Sequence, residues 1–215
     1  MPENTINIII ADDHAFLREG IKKTIRDEID MSIIGEASNA ADLLREVKQK
    51  EANVVILDIS MPGKSGLDVL KDLKAMRKNL KVLILSMHPE ERFAIRALKA
   101  GAMGYLTKES APDELVKAIR TILTGRKYVS KQLSDKLLDI ITAEESGKLP
   151  HEELSDREFE VFIKIASGKK ASEIAEELSI SIHTVNTYRA RILEKLNMSS
   201  NVELTQYAMH NNLID

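Results

Sequence analysis

The chain contains no cysteine, so disulfide frameworks and thiolate metal sites are both excluded. No run approaches the eighteen or so uncharged apolar residues that a membrane helix needs. The N-terminus carries no signal-peptide pattern. Neither sign of charge dominates: the formal net charge is −3 over 215 residues, which gives no global hint of a nucleic-acid partner. There is no internal repeat and no low-complexity tract. These absences lead us to expect a cytoplasmic protein without a membrane segment. What is present, 43% hydrophobic and 30% charged residues, is enough to bury a core and stay in solution, at a length suited to two small domains or one large one.

One stretch organises the chain: Val54-Val55-Ile56-Leu57-Asp58, then Ile59 to Gly66. An unbroken run of Val, Ile and Leu suits a parallel strand covered on both faces. It ends in a single carboxylate, and Pro62, Gly63 and Gly66 turn the chain before the next helix. Asp58 therefore falls at the carboxyl end of a strand, where open α/β sheets place their chemistry.

The same pattern recurs. Ile6 to Ala11 runs into Asp12-Asp13. Ser32 to Ala37, Val82 to Leu85 and Met103 to Leu106 read as further strands, the last two followed by Ser86 and by Thr107-Lys108. Between them lie helical patterns over 14–29, with Phe16, Leu17, Ile21 and Ile25 on one face, and over 40–50, 67–76 and 93–99. A fifth begins at Ser110, read as its cap with Asp113, has Pro112 in its first turn, and ends near Leu123. Five strands alternating with five helices imply a parallel sheet with helices on both faces. All strand ends then meet at one edge, bringing Asp12, Asp13, Asp58, Ser86 and Lys108 together. Clustered carboxylates repel and call for a hard cation with oxygen ligands, such as Mg2+. With a metal-neutralised site, Asp58 can attack phosphorus, Lys108 can hold one phosphoryl oxygen and Ser86 another.

Residues 6–123 resemble the receiver domain of two-component response regulators. The matching residues are Asp12-Asp13, Asp58 with Met61-Pro62 and Gly66, Ser86, Ala100-Gly101-Ala102, Tyr105 and Lys108. The resemblance implies a flavodoxin-like, doubly wound, five-stranded fold. It makes Asp58 the phosphoacceptor from a sensor histidine kinase. It assigns Mg2+ to Asp12, Asp13, Asp58 and the backbone carbonyl of Ser60. It makes Ser86 and Tyr105 a switch pair, Ser86 drawn to the phosphoryl group and Tyr105 turning inward behind it. One departure is Glu109, where many receivers have proline.

Beyond Leu123 the pattern weakens. Gln132 to Ile141 reads as a short linker helix, and polar Glu144 to Glu153 as a domain boundary. Four helical patterns then follow in a small all-α domain: Ser155-Asp156-Arg157-Glu158 as a capping box opening the first, Ala171 to Leu178, Ile182 to Leu196, and Val202 to His210. The second and third, joined at Ser179-Ile180-Ser181, form a helix-turn-helix. On the third, Ile182, Val185, Ile192, Leu193 and Leu196 form the core side, while His183, Thr187, Ala190, Arg191 and Glu194 point away. Asn186 lies at one margin, and Thr184 and Lys195 at the other. Arg189 falls within the apolar arc, where its stem packs and its head reaches out.

Leu154-Ser155-x-Arg157-Glu158, Gly168, Glu173-Ile174-Ala175, Leu178, Ser181, Thr184-Val185 and Lys195-Leu196 resemble the LuxR-type output domain of the NarL/FixJ response regulators, and Gly125-x-x-Tyr128-x-Ser130 resembles that subfamily's linker. The resemblance places Asn186, Thr187 and Ala190 at base-facing positions and Lys195 at a phosphate-facing one; Arg191 adds positive charge to the outer face. The expected organisation is a receiver over 1–124, a linker over 125–150 and a DNA-binding domain over 151–215. A phosphate-loop ATPase would need glycine where Asp58 stands, and an aspartate-nucleophile phosphatase would want Asp where Ser60 stands. The chain is read as a regulator rather than an enzyme, binding a double-stranded promoter site of two-fold symmetry as a homodimer formed on phosphorylation. A receiver coupled to a protein-binding output is the competing reading.

Overall fold

In the computed structural model, residues 5–62, 64–131, 133–135 and 149–214 are described. The chain divides into two compact units, 1–139 and 140–215. Most of the linker helix read over 132–141 lies outside the described residues.

The first unit is a five-stranded parallel sheet in the order β2-β1-β3-β4-β5, with strands β1 Ile6–Ala11, β2 Met31–Ala37, β3 Val54–Asp58, β4 Lys81–Ser86 and β5 Gly104–Thr107. Helices α1 Ala15–Arg26, α2 Ala40–Gln49, α3 Gly66–Met76, α4 Glu90–Lys99 and α5 Ala111–Leu123 connect and follow them. Every residue of β3 is buried, as a central strand clad on both sides must be. Ile8, Ile10, Val54, Ile56, Leu83, Leu85 and Leu106 meet Ile21 and Ile25 of α1 and Leu115, Ile119 and Ile122 of α5 in one core.

Asp58 is the last residue of β3, at the carboxyl end of the strand as read. Two local expectations are corrected. Phe16 is not on the core face of α1; it is 96% exposed, because Leu17, Ile21 and Ile25 define that face and Phe16 lies about 100° from Leu17. Ser110 does stand at the start of α5, but its hydroxyl makes no cap bond. It is diverted to Thr107, whose carbonyl it contacts at 3.2 Å and whose Oγ1 lies 3.1 Å away.

Two features mark the flanks of the sheet. The β1–β2 register pairs Ile8 with Ile33 and Ile9 with Gly35, leaving Ile34 as an extra residue. On the other flank the chain after α5 returns beside β5. Tyr128 donates its amide to Met103 O at 2.9 Å and accepts from the Tyr105 amide at 3.1 Å. Gly104 allows this approach, since a Cβ there would sit 2.9 Å from Tyr128 O. The Ser130 amide then reaches Glu90 Oε1 at the start of α4, at 3.3 Å.

The second unit is all-helical: a short 3-10 turn Pro150–Glu153, then α6 Asp156–Ala166, α7 Ala171–Glu177, α8 Ile182–Leu196 and α9 Asn201–His210. The Ser155–Glu158 capping box forms as read, with Ser155 Oγ accepting from the Glu158 amide and Glu158 accepting from the Ser155 amide. Phe159, Phe162, Ile174, Val185, Ile192, Leu196 and Leu204 are all buried. Ile182 is a further correction: it is 51% exposed, because the first turn of α8 projects beyond that core.

Candidate phosphoacceptor site and nucleic-acid interface

The parallel sheet collects the strand ends as its topology requires. Asp12 and Asp58 are 1% and 0% exposed and Ser86 is fully buried, so these polar groups survive burial only through their neighbours. The Lys108 ammonium, itself 6% exposed, lies 2.7 Å from Asp58 Oδ2 and 2.7 Å from Asp12 Oδ2. The Ser60 amide donates to Asp58 Oδ1 at 2.8 Å. Lys108 is held in place by its own amide, which donates to Ser86 O at 2.8 Å. The turn after β3 closes tightly: the Gly66 amide reaches Ile59 O at 3.3 Å, and a Cβ at Gly66 would lie 2.3 Å from Ile59 Cα. Only glycine lets α3 begin there.

The charges do not balance. Two buried carboxylates share one ammonium, and Asp13 adds a third, half-exposed carboxylate. Burial pushes the Asp58 carboxyl above its ordinary range; Lys108 opposes this, while the charge on Asp12 adds to it. Burial pulls the Lys108 ammonium down, but Asp58 and Asp12 together outweigh burial and hold it above its ordinary value. Lys108 therefore stays charged, and the surplus is negative. Asp12 Oδ2 meets no donor in good hydrogen-bond alignment, although the Lys108 ammonium lies 2.7 Å away. One oxygen each from Asp12, Asp13 and Asp58, with a ring nitrogen of His14, lie within 4.8 Å of one another, a donor set that fits a metal cation.

Beside the carboxylates, Ser86 Oγ accepts from the His88 amide at 3.1 Å. Tyr105 is fully buried, and its hydroxyl donates to His88 O at 2.9 Å. The ring is thus already inward in this structure. The His88 ring packs on Phe93 with centroids 4.7 Å apart.

In the second unit, Ser179 adopts φ 51° in the turn between α7 and α8, and Ser181 caps α8 by accepting from the Thr184 amide. His183, Asn186, Thr187, Ala190, Arg191 and Glu194 are all exposed and spaced as one stripe along α8. Asn186 is on this stripe rather than at its margin. The Arg189 side chain is half-buried and its Nε donates to Asn201 Oδ1 at 2.6 Å, so stem and head behave as the wheel suggests. Lys195 is less free than expected: its ammonium lies 2.6 Å from Glu158 Oε2.

Sequence reasoning missed three partners. His14, adjacent to the Asp pair, was the most accessible of them. Glu158 and Asn201 pair with residues 37 and 12 positions away, separations that no local pattern reports.

Comparison with known proteins agrees with both units. The response regulator receiver domain matches residues 8–120, and the bacterial regulatory proteins of the luxR family match 152–208. The response regulator UvrY of Escherichia coli K12 is 35% identical over 208 residues, covering 97% of this chain and 95% of that protein. RcsB of Salmonella enterica serovar Typhimurium, solved bound to promoter rprA with the phosphomimetic BeF3-, superposes with a TM-score of 0.65 at 29% identity, over 95% of this chain and 98% of that one. A structure of two RcsB dimers bound to two parallel DNAs gives 0.60 at 29% identity, over 96% and 98%. This chain belongs to the response regulators that join a receiver domain to a LuxR-type helix-turn-helix domain.

Proposed function

We propose that this chain is a phosphorylation-activated, DNA-binding transcriptional regulator of a two-component phosphorelay, with Asp58 accepting a phosphoryl group from a sensor histidine kinase. The observation that carries the reading is the buried Asp58 carboxylate, set between Lys108 and the Ser60 amide beside Asp12 and Asp13. An Asp58 oxygen attacks phosphorus as the bond to the donor's imidazole nitrogen breaks, leaving an aspartyl phosphate. Lys108 keeps one phosphoryl oxygen neutralised. Asp12, Asp13, Asp58 and the carbonyl of Ser60 would hold Mg2+, which offsets the negative charge that gathers as phosphate approaches carboxylate. Ser86 leaves the His88 amide to donate to another phosphoryl oxygen, and the freed loop is sensed by Tyr105 through His88 O. The boundaries proposed are a receiver over 1–124, a linker over 125–150 and a DNA-binding domain over 151–215.

In that last domain, Asn186, Thr187 and Ala190 face the bases; Asn can read adenine, and Ala190 offers only an apolar contact. Arg191, and Lys195 once released from Glu158, face phosphates. Its partners are a promoter site of two-fold symmetry and a second copy of the chain, in the cytoplasm; the dimers of RcsB on DNA support this arrangement.

The test is intact-mass analysis after incubation with acetyl phosphate. Wild type gains one phosphoryl group only when Mg2+ is present, and Asp58→Asn gains none. Equal modification of the two would remove Asp58 from the role.

A further inference from the structure

His14 stands beside the carboxylate cluster and has no assigned part in it. Its amide donates to Asp12 Oδ1 at 2.7 Å, which fixes the backbone against the cluster. Its ring Nδ1 then lies 2.8 Å from Asp13 Oδ1 and 3.2 Å from Asp12 Oδ1. The residue is the N-cap of α1, yet its side chain makes no cap bond, so the ring is not needed to start the helix. The imidazole points at the same oxygens that would hold a cation, and all four candidate donor atoms lie within 4.8 Å of one another. Asp12 is thus shared: Oδ1 faces His14, while the buried Oδ2 faces the Lys108 ammonium at 2.7 Å.

Donor chemistry decides what such a site prefers. Oxygen donors and water suit Mg2+, whereas a neutral imidazole suits the borderline first-row divalent cations from Fe2+ to Zn2+. Oxygen donors alone already hold first-row divalent cations more tightly than Mg2+, and an imidazole within reach enlarges that preference.

We propose that His14 supplies a nitrogen ligand to the cation at the Asp12–Asp13–Asp58 cluster, so that the site prefers a borderline divalent cation such as Co2+ over Mg2+ by more than its oxygen donors alone would give. The inference rests on the reading of that cluster as a cation site. The imidazole coordinates through Nδ1, leaving Nε2–H toward solvent, in keeping with a side chain that is 63% exposed. Mg2+ occupies the oxygen donors without needing His14.

The experiment uses the full, tag-free chain at pH 8. Calorimetric titration with Co2+ and with Mg2+ is run on wild type, His14→Ala and Asp13→Asn, and proton NMR spectra are recorded on the Co2+-loaded forms. The expected result is that His14→Ala weakens Co2+ binding roughly ten-fold or more, while Mg2+ binding moves by less than about two-fold. The wild-type Co2+ form shows a hyperfine-shifted, exchangeable imidazole N–H resonance, absent from His14→Ala. Asp13→Asn weakens the binding of either cation. An unchanged ratio of Co2+ to Mg2+ affinity in His14→Ala overturns the proposal. So does a shifted imidazole resonance that persists in that variant. If wild type binds neither cation, the cluster is not a cation site and the reading beneath the proposal fails with it.

Discussion

The two units of this chain treat charge in opposite ways. The receiver concentrates it: Asp12 and Asp58 share one ammonium at the end of the sheet, Asp13 stands beside them, and the surplus stays unrelieved. The output domain disperses it. Residues 150–215 hold 7 Lys/Arg against 11 Asp/Glu, and most of the basic groups are already engaged within the domain. Lys164 and Lys169 share Glu177, Arg157 pairs with Glu160, Lys195 pairs with Glu158, and Arg189 is tied to Asn201. A site proposed to draw in a divalent cation before phosphate can approach keeps its imbalance. A surface that must release DNA when the signal ends does well to offer few free cations. Affinity for a polyanion then has to come from a small number of contacts used more than once.

That contrast can be broken most directly through avidity. The isolated fragment 150–215 should bind a selected two-fold site more weakly than the phosphorylated full chain by roughly 10² to 10⁴, because joining two copies makes the second contact intramolecular. Equilibrium binding of the fragment, beside the full chain with and without phosphorylation, measures it. A monomeric fragment that binds as tightly as the phosphorylated chain would end the avidity account and point to relief of occlusion.

A smaller effect separates stability from DNA contact. Lys195→Ala leaves the buried Glu158 carboxylate without its cation, and should cost the output domain about 1–3 kcal/mol in chemical denaturation. Arg191→Ala should leave stability alone, weaken DNA binding across all sequences, and lower the salt slope by about one. If Lys195→Ala changed only the salt slope, its bond to Glu158 would count for little.

The acid limb of stability sharpens the same point. Burial raises the Glu158 carboxyl, but Lys195 and the Ser155 amide and hydroxyl outweigh it and hold the pKa below the ordinary Glu value. A depressed folded pKa means stability that is complete above the unfolded value, about 4.3, and is lost as pH falls through the folded one. Glu158→Gln should therefore lower stability at pH 7 by about 1 kcal/mol and flatten the decline below pH ~4. Parallel acid limbs in wild type and variant would contradict the assignment.

The smallest expected effect returns to the receiver. Ser60 and His88 stand two residues beyond Asp58 and Ser86, and their amides bond to those two side chains. Ser60→Ala and His88→Ala should change the half-life of the aspartyl phosphate by a few-fold, read by the decay of the modified mass. An unchanged half-life in either variant would exclude that residue from steering the attacking water.

Much of the receiver was legible because each functional group follows an apolar strand, and parallel topology does the rest. Asp12, Asp58, Ser86 and Lys108 needed only the alternation of elements to be brought together. The Ser155–Glu158 capping box was legible for a similar reason: both partners lie within one turn. What stayed hidden depends on competition between partners. Ser110 has the right type and place for a cap, but Thr107 takes its hydroxyl. Ile182 continues the apolar face of α8 on a wheel, which cannot show that the core stops one turn short of it. Lys195 looks free in sequence because Glu158 is 37 residues away. Tyr128 sits at a single bridge, and one residue has no period to detect.

That bridge has a consequence for how copies of the protein can meet. A sheet normally ends in a row of unpaired amides and carbonyls, which is a template for strand addition and for aggregation. Here the β5 margin is occupied by Tyr128, through bonds to Met103 and Tyr105, and β2 at the opposite margin is distorted by Ile34. Neither margin offers a flat, open ladder. A second copy of the receiver is thereby denied the open ladder on which a continuous sheet would grow.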